Sequence, residues 1–443
     1  MKDLTSGKPW KVILLFTLPL FVGNFFQQMY AFTDMLVVGR TLGKQALAAI
    51  GSTGSLIFLI VGFATGLTSG FSILTAQHFG AKDAEKVRRS FATSIFLTGI
   101  ATVILTGLIF LFLRPILELM QTPTTVIDQA NSFFQWIVLG IFATMAFNLF
   151  SNMLRAIGDS KTPLFFLILS TILNLLLELL FILVFRLGVN GAGLATLLAQ
   201  VVSSLLCLFY IYRKVPILQV RRADFLKLKK VDFFHHVNVG VPMAFQSCTI
   251  AIGAIVLQFA LNSLGEDVVA AQSTSSKIDQ FAILPMMSFG IAMATYVAQN
   301  WGAKKYKRIL KGVSQGLYLS ISFSIIAGIS VIYFGESLER MFVSAKETRV
   351  IILAKTYFKI NGSMYWVLSI LFILRYTLQG LGKVVAPTIA GIVELIMRSC
   401  AAIFLTVFFG FIGAACAGPL AWIGSVLVLL PSYLSSYQKL RKM

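Results

Sequence analysis

An aspartate, Asp34, and a glutamate, Glu178, each sit inside a long apolar stretch of this sequence. An ionisable group within a bilayer costs at least ~2.5–3.5 kcal/mol on insertion scales, so each is a functional candidate by default. Asn174 precedes Glu178 by one helical turn and shares its face. Thr196 lies a few residues into the next apolar stretch. Carboxylate, amide and hydroxyl oxygens of this kind suit a hard cation such as Na+. A desolvated carboxylate pair with no local Arg or Lys also tends to keep a proton, because burial and like charge both disfavour ionisation. The chemistry on offer is reversible binding of H+ or Na+, with no other cofactor called for.

The second half carries a different set. Lys277 and Asp279 share one apolar stretch, and Glu394 and Arg398 share another as i,i+4 partners. Two cations balance two anions, which predicts a buried ion-paired network. Such a network is either structural or part of a substrate-contacting or gating surface. Gln27 and Tyr30, on the same stretch as Asp34, are candidates for lining a cavity together with aromatic neighbours such as Phe25 and Phe26. No nucleotide loop, metal cluster or catalytic triad stands out, which argues against an enzyme. The four cysteines, Cys207, Cys248, Cys400 and Cys416, lie in apolar stretches without metal spacing and read as packing residues.

The elements that position these groups follow from composition. Of 443 residues 57% are hydrophobic and only 12% charged, too little charge to cover a soluble domain of this size. The apolar residues come in blocks long enough to cross a bilayer, which takes about 20 residues per helix. The blocks predict helices over 12–39, 47–77, 91–113, 128–152, 163–186 and 190–212, then 233–262, 268–299, 309–334, 351–374, 385–408 and 412–435. The fold expected is an all-α polytopic membrane protein of twelve spans. Asp34 lies about 22 residues into its span and Glu178 about 15 beyond Pro163, so at about 1.5 Å per residue both reach the same half of the membrane.

The net charge of +20 is spread over short loops, which points to membrane topology and away from nucleic acid. One side collects Lys82, Lys86, Arg88 and Arg89, then Arg155 and Lys161, the basic segment 214–230, Lys304, Lys305, Lys307 and Arg308, and the tail Lys439, Arg441 and Lys442. The positive-inside rule places that side, with both termini, in the cytoplasm. Short loops without sorting signals suggest a bacterial plasma membrane, and a chain acting as a monomer.

The halves repeat one another. Ala76-Gln-His-Phe-Gly-Ala-Lys82 returns as Ala298-Gln-Asn-Trp-Gly-Ala-Lys304. Leu42-Gly43 matches Leu264-Gly265, the run from Leu154 to Pro163 matches Leu378 to Pro387, and Gly188 to Ala192 matches Gly410 to Ala414. Two six-helix lobes are expected, 1–213 and 231–443, joined by the basic linker 214–230. Parallel repeats of this kind place substrate sites between them.

These paired motifs resemble the multidrug and toxic compound extrusion (MATE) family over nearly the whole chain. The residues concerned run from Leu18-Pro19 through Tyr30-Ala-Phe-Thr-Asp34. They include the two Gln-x-x-Gly-Ala-Lys helix ends, Leu154 to Asp159, and Ile278 to Pro285. The resemblance implies two lobes working by alternating access, exchanging Na+ or H+ for amphiphilic, often cationic compounds. Related superfamily members flip lipid-linked sugars, which is the alternative reading. The resemblance also implies an N-lobe cation site like that of the archaeal and DinF-like branch, at Asp34, Asn174, Glu178 and Thr196. Glu178 departs from the usual aspartate there, and the NorM-like cation site of the other lobe is not recognisable.

Overall fold

The computed structural model describes residues 3–120, 122–341 and 347–443, with Lys44 described by its backbone alone. Every regular element among them is helical. The first repeat contains α1 (Pro9–Thr41), α2 (Lys44–Gly80), α3 (Ala84–Leu119), α4 (Ile127–Leu139), α5 (Ile141–Ala156), α6 (Lys161–Leu179) and α7 (Val189–Lys214). A short α8 (Arg222–Leu226) lies in the linker. The second repeat contains α9 (Lys230–Asn262), α10 (Glu266–Gly302), α11 (Tyr306–Glu339), α12 (Thr348–Gly380), α13 (Val385–Cys400), α14 (Thr406–Phe409), α15 (Phe411–Ala415) and α16 (Ala417–Lys442).

Among the described residues eleven helices are long and apolar enough to cross a membrane, or twelve when α4 and α5 count as one bent span. That pair was expected as a single helix over 128–152. It bends by 44° at Gly140. A Cβ on Gly140 would stand 3.3 Å from Leu197 of α7, so the bare backbone there lets the break pack closely. Side chains such as Val103, Leu111 and Phe408 are more than 70% exposed. A soluble protein rarely shows so continuous an apolar surface, and lipid is the solvent that fits it.

The repeats share their turns. Gly43 and Gly265, Lys82 and Lys304, Gly158 and Gly382, and Gly188 and Gly410 all have positive φ. Gly43 and Gly265, at +83° and +100°, sit where a side chain would be strained, which explains why both copies keep glycine. Each repeat also has a π-helical segment continuing its fifth span, Leu180–Val184 after α6 and Ala401–Leu405 after α13.

The compact units do not coincide with the repeats. One comprises residues 22–244; the other comprises 3–21 together with 245–443. The boundaries expected from the repeat, 1–213 and 231–443, miss this exchange. Its physical basis is a set of ties at the two helix openings. In the first unit, the opening of α9 is held against α2 and α3. Arg89 pairs with Asp232 at 2.9 Å, and the Ser90 hydroxyl meets His236 Nε2 at 2.9 Å. A Cβ on Gly70 would lie 2.5 Å from the Gly240 Cα, so the α2 and α9 backbones nearly touch. In the second unit, the segment before α1 is held by α10 and α11. Gln299 Oε1 accepts from Leu4 N at 3.1 Å, and Arg308 donates to the carbonyls of Gly7 and Ser6, each at 2.6 Å. Arg89 and Arg308, expected only to set topology, therefore also clamp the fold.

Candidate functional site

In the first unit α1, α6 and α7 bring Tyr30, Asp34, Asn174, Glu178 and Thr196 together. The i,i+4 spacings of Tyr30 with Asp34 and of Asn174 with Glu178 put each pair on one helix face. The Asp34 and Glu178 side chains come within hydrogen-bonding reach of each other. Glu178 is fully buried and Asn174 nearly so. The Thr196 hydroxyl accepts from Asn174 Nδ2 at 3.2 Å and, more loosely, from the Tyr30 hydroxyl at 3.4 Å. It donates to the Ala192 carbonyl at 3.2 Å. With two lone pairs accepting and its one proton donated, Thr196 has no bonding capacity left.

The carboxyl oxygens are in a different condition. Asp34 Oδ1 and both oxygens of Glu178 are buried, with no N–H or O–H group directed at them. Two carboxylates in contact offer four acceptors and no donor, whereas a single proton between them turns the contact into a hydrogen bond. The arrangement is therefore suited to taking up and releasing one small cation. The π-helical turn that begins at Leu180, just after Glu178, is a local irregularity of the kind that often accompanies functional sites. Gln27, on the same helix as Asp34, is exposed and stands outside this cluster.

In the second unit the four expected partners do not form one network. Lys277 is exposed and makes no ion pair with any described residue. Asp279 is held by two phenols: the Tyr357 hydroxyl donates to Oδ2 at 3.1 Å and the Tyr365 hydroxyl donates to Oδ1. Glu394 is bracketed by two guanidinium groups, Arg375 at 2.6 Å and Arg398 at 3.1 Å, with the Ser425 hydroxyl 3.4 Å away. The buried cation that sequence reasoning missed is Arg375. The ion-paired set is thus Arg375–Glu394–Arg398, with Asp279 in a separate tyrosine cradle and Lys277 in neither. Asp279 and Lys277 lie two positions apart on α10, which turns them to different faces of the helix.

Many apolar spans, an internal repeat and costly buried carboxyls define a polytopic membrane transport protein. The chain belongs to the MatE family, a family of membrane transporters: the MatE family model matches residues 19–180 and 242–421. It is 29% identical over 397 residues to the probable multidrug resistance protein YoeA of Bacillus subtilis, covering 87% of this chain and 85% of YoeA. It is also 29% identical over 397 residues to the probable multidrug resistance protein YpnP of the same organism, covering 88% and 87%. Among solved structures, the outward-facing conformation of a multidrug resistance MATE family transporter of the MOP superfamily matches with a TM-score of 0.92 at 20% identity. That match covers 100% of this chain and 98% of the other.

Proposed function

We propose that this protein exports amphiphilic compounds, cationic drugs among them, in exchange for a coupling ion, and that the ion is carried by the Asp34–Glu178 pair. The observation that carries this reading is the close approach of part-buried Asp34 to fully buried Glu178, with no donor directed at Asp34 Oδ1 or at either Glu178 oxygen. H+ is favoured over Na+ in the arrangement seen, because one proton satisfies the pair while Thr196 is saturated. Na+ would need Thr196 to give up one of its donors before it could act as a ligand. Export of drugs rather than lipid-linked sugars is supported by the multidrug resistance descriptions of both Bacillus relatives.

Coupling then follows from linkage. The proton and the substrate each favour one of two conformations through differential affinity, so binding of one weakens the other. The repeat makes alternating access the natural cycle. The basic loops support cytoplasmic termini in a plasma membrane, with one chain sufficient for the cycle. The test is efflux of a fluorescent lipophilic cation from proteoliposomes, with H+ and Na+ gradients imposed separately. The H+ gradient alone should drive transport. Asp34→Asn and Glu178→Gln should each reduce it at least tenfold with insertion and thermal stability preserved. Undiminished efflux in both variants would reject the pair as the coupling site.

A further inference from the structure

Away from the ion-paired network, the second unit holds another buried carboxyl. Glu339 closes α11 and is completely buried, although it lies at a helix end. It faces α10, where the Thr274 hydroxyl is hydrogen-bonded to its Oε1. The Ser275 side chain, also fully buried, lies beside the same carboxyl. Glu339 Oε2 and Ser275 Oγ are both buried without an aligned partner of their own. One turn earlier on α10, Gln272 Oε1 is likewise buried and unpartnered, while its amide nitrogen donates to Ser276 Oγ at 2.9 Å.

The hydroxyl proton count at Thr274 sharpens the point. Thr274 Oγ1 lies 2.9 Å from the Ala270 carbonyl and 3.2 Å from that of Ala271, the usual back-bond of a helical threonine. A hydroxyl has one proton. If it goes to the backbone, two oxygens face each other across the Thr274–Glu339 contact with nothing positive between them. Among the described residues, no lysine or arginine forms an ion pair with Glu339. A buried carboxylate without a cation is strongly disfavoured. A carboxylate flanked by two hydroxyl oxygens is a donor set that suits a hard cation.

We propose that Glu339, Thr274 and Ser275 form a Na+ site in the second unit, separate from the Asp34–Glu178 pair. The ligands come from two helices adjacent in sequence, so an ion there would tie the start of α10 to the end of α11.

The test is equilibrium binding of 22Na+ to the purified full-length protein, with Na+-dependent thermal shift as a second readout. The double variant Asp34→Asn/Glu178→Gln serves as the reference, so the first unit cannot contribute. That reference should bind one Na+ per chain and gain thermal stability with added NaCl but not with choline chloride. Adding Glu339→Gln should weaken the binding at least tenfold and remove the thermal shift. Adding Ser275→Ala, which keeps the charge and deletes only a hydroxyl, should weaken it severalfold, and it remains informative if the glutamine variant does not fold. Absence of Na+ binding in the folded reference protein would overturn the proposal. So would binding unaffected by both added substitutions, which would leave Glu339 as a protonated structural carboxyl.

Discussion

Two guanidinium groups converge on the single carboxylate of Glu394, and almost none of this triad is exposed. Removing the carboxylate strands both cations, whereas removing Arg398 leaves the closer Arg375–Glu394 pair intact. Breaking a buried ion pair by deleting one partner costs about 3–5 kcal/mol. Glu394→Leu should therefore lower stability by an amount in that range, and Arg398→Leu by clearly less, as measured by unfolding in detergent. Equal losses would mean that Arg398 matters to the triad as much as Arg375. The Asp34–Glu178 contact was legible in the sequence because intramembrane carboxyls are costly enough to stand out. Arg375 and Glu339 were not, for one shared reason. Both lie just past the ends drawn for their apolar blocks, 374 and 334, where charged residues crowd the boundary and read as loop. Backbone hydrogen bonding does not stop at a charge, so α12 runs on to Gly380 and α11 to Glu339, carrying both side chains into the interior.

At the level of whole helices, backbone contact between α2 and α9 leaves no room for a methyl group at Gly70. The nearest atoms are Gly240 backbone, which cannot turn aside. Gly70→Ala should destabilise by about 1–3 kcal/mol, the usual cost of overpacking. Gly51→Ala, on the same helix with open space around it, should be neutral or slightly stabilising, since alanine is the better helix former. A thermal-unfolding series comparing the two tests the contact directly. Asp83 caps α3, its side chain accepting from the Lys86 amide at 3.0 Å and pairing with the Lys86 ammonium at 3.0 Å. Those two bonds to Lys86 hold its carboxyl below the usual aspartate value. Because the folded-state value is the lower one, the cap's contribution is complete above the ordinary aspartate range. It fades as pH falls through the lowered value. Asp83→Ala should cost about 1 kcal/mol at neutral pH, typical of a lost N-cap, and less once wild-type Asp83 is itself protonated. Helix number and order were readable from hydropathy. The α4–α5 bend was not, because a glycine in an apolar run looks the same whether the helix passes through it or turns there.

On the scale of the molecule, the repeat in sequence became a repeat in backbone, down to left-handed turns at matching positions. What the repeat could not reveal is which segments pack together. Repeat boundaries record ancestry, whereas compact units record contacts, and the two part company at the openings of α1 and α9. Pro19 and Pro242 lie just before the points where each helix passes from one unit to the other. A proline inside a helix removes one backbone bond and favours a kink, so these positions are suited to flexing. Pro19→Ala and Pro242→Ala should slow efflux while leaving helix content and 22Na+ binding unchanged. Transport at the wild-type rate in both variants would assign the prolines to packing alone.

Neither repeat on its own contains everything its compact body requires, since residues 3–21 complete one and the opening of α9 completes the other. Chains severed within 214–230 should accordingly be degraded when made singly and recovered when synthesised together. A hypothetical forebear encoding one repeat would have needed a second copy to finish its own fold, lending the opening of its first helix in exchange for another's. Joining the two genes would then have made a reciprocal loan permanent.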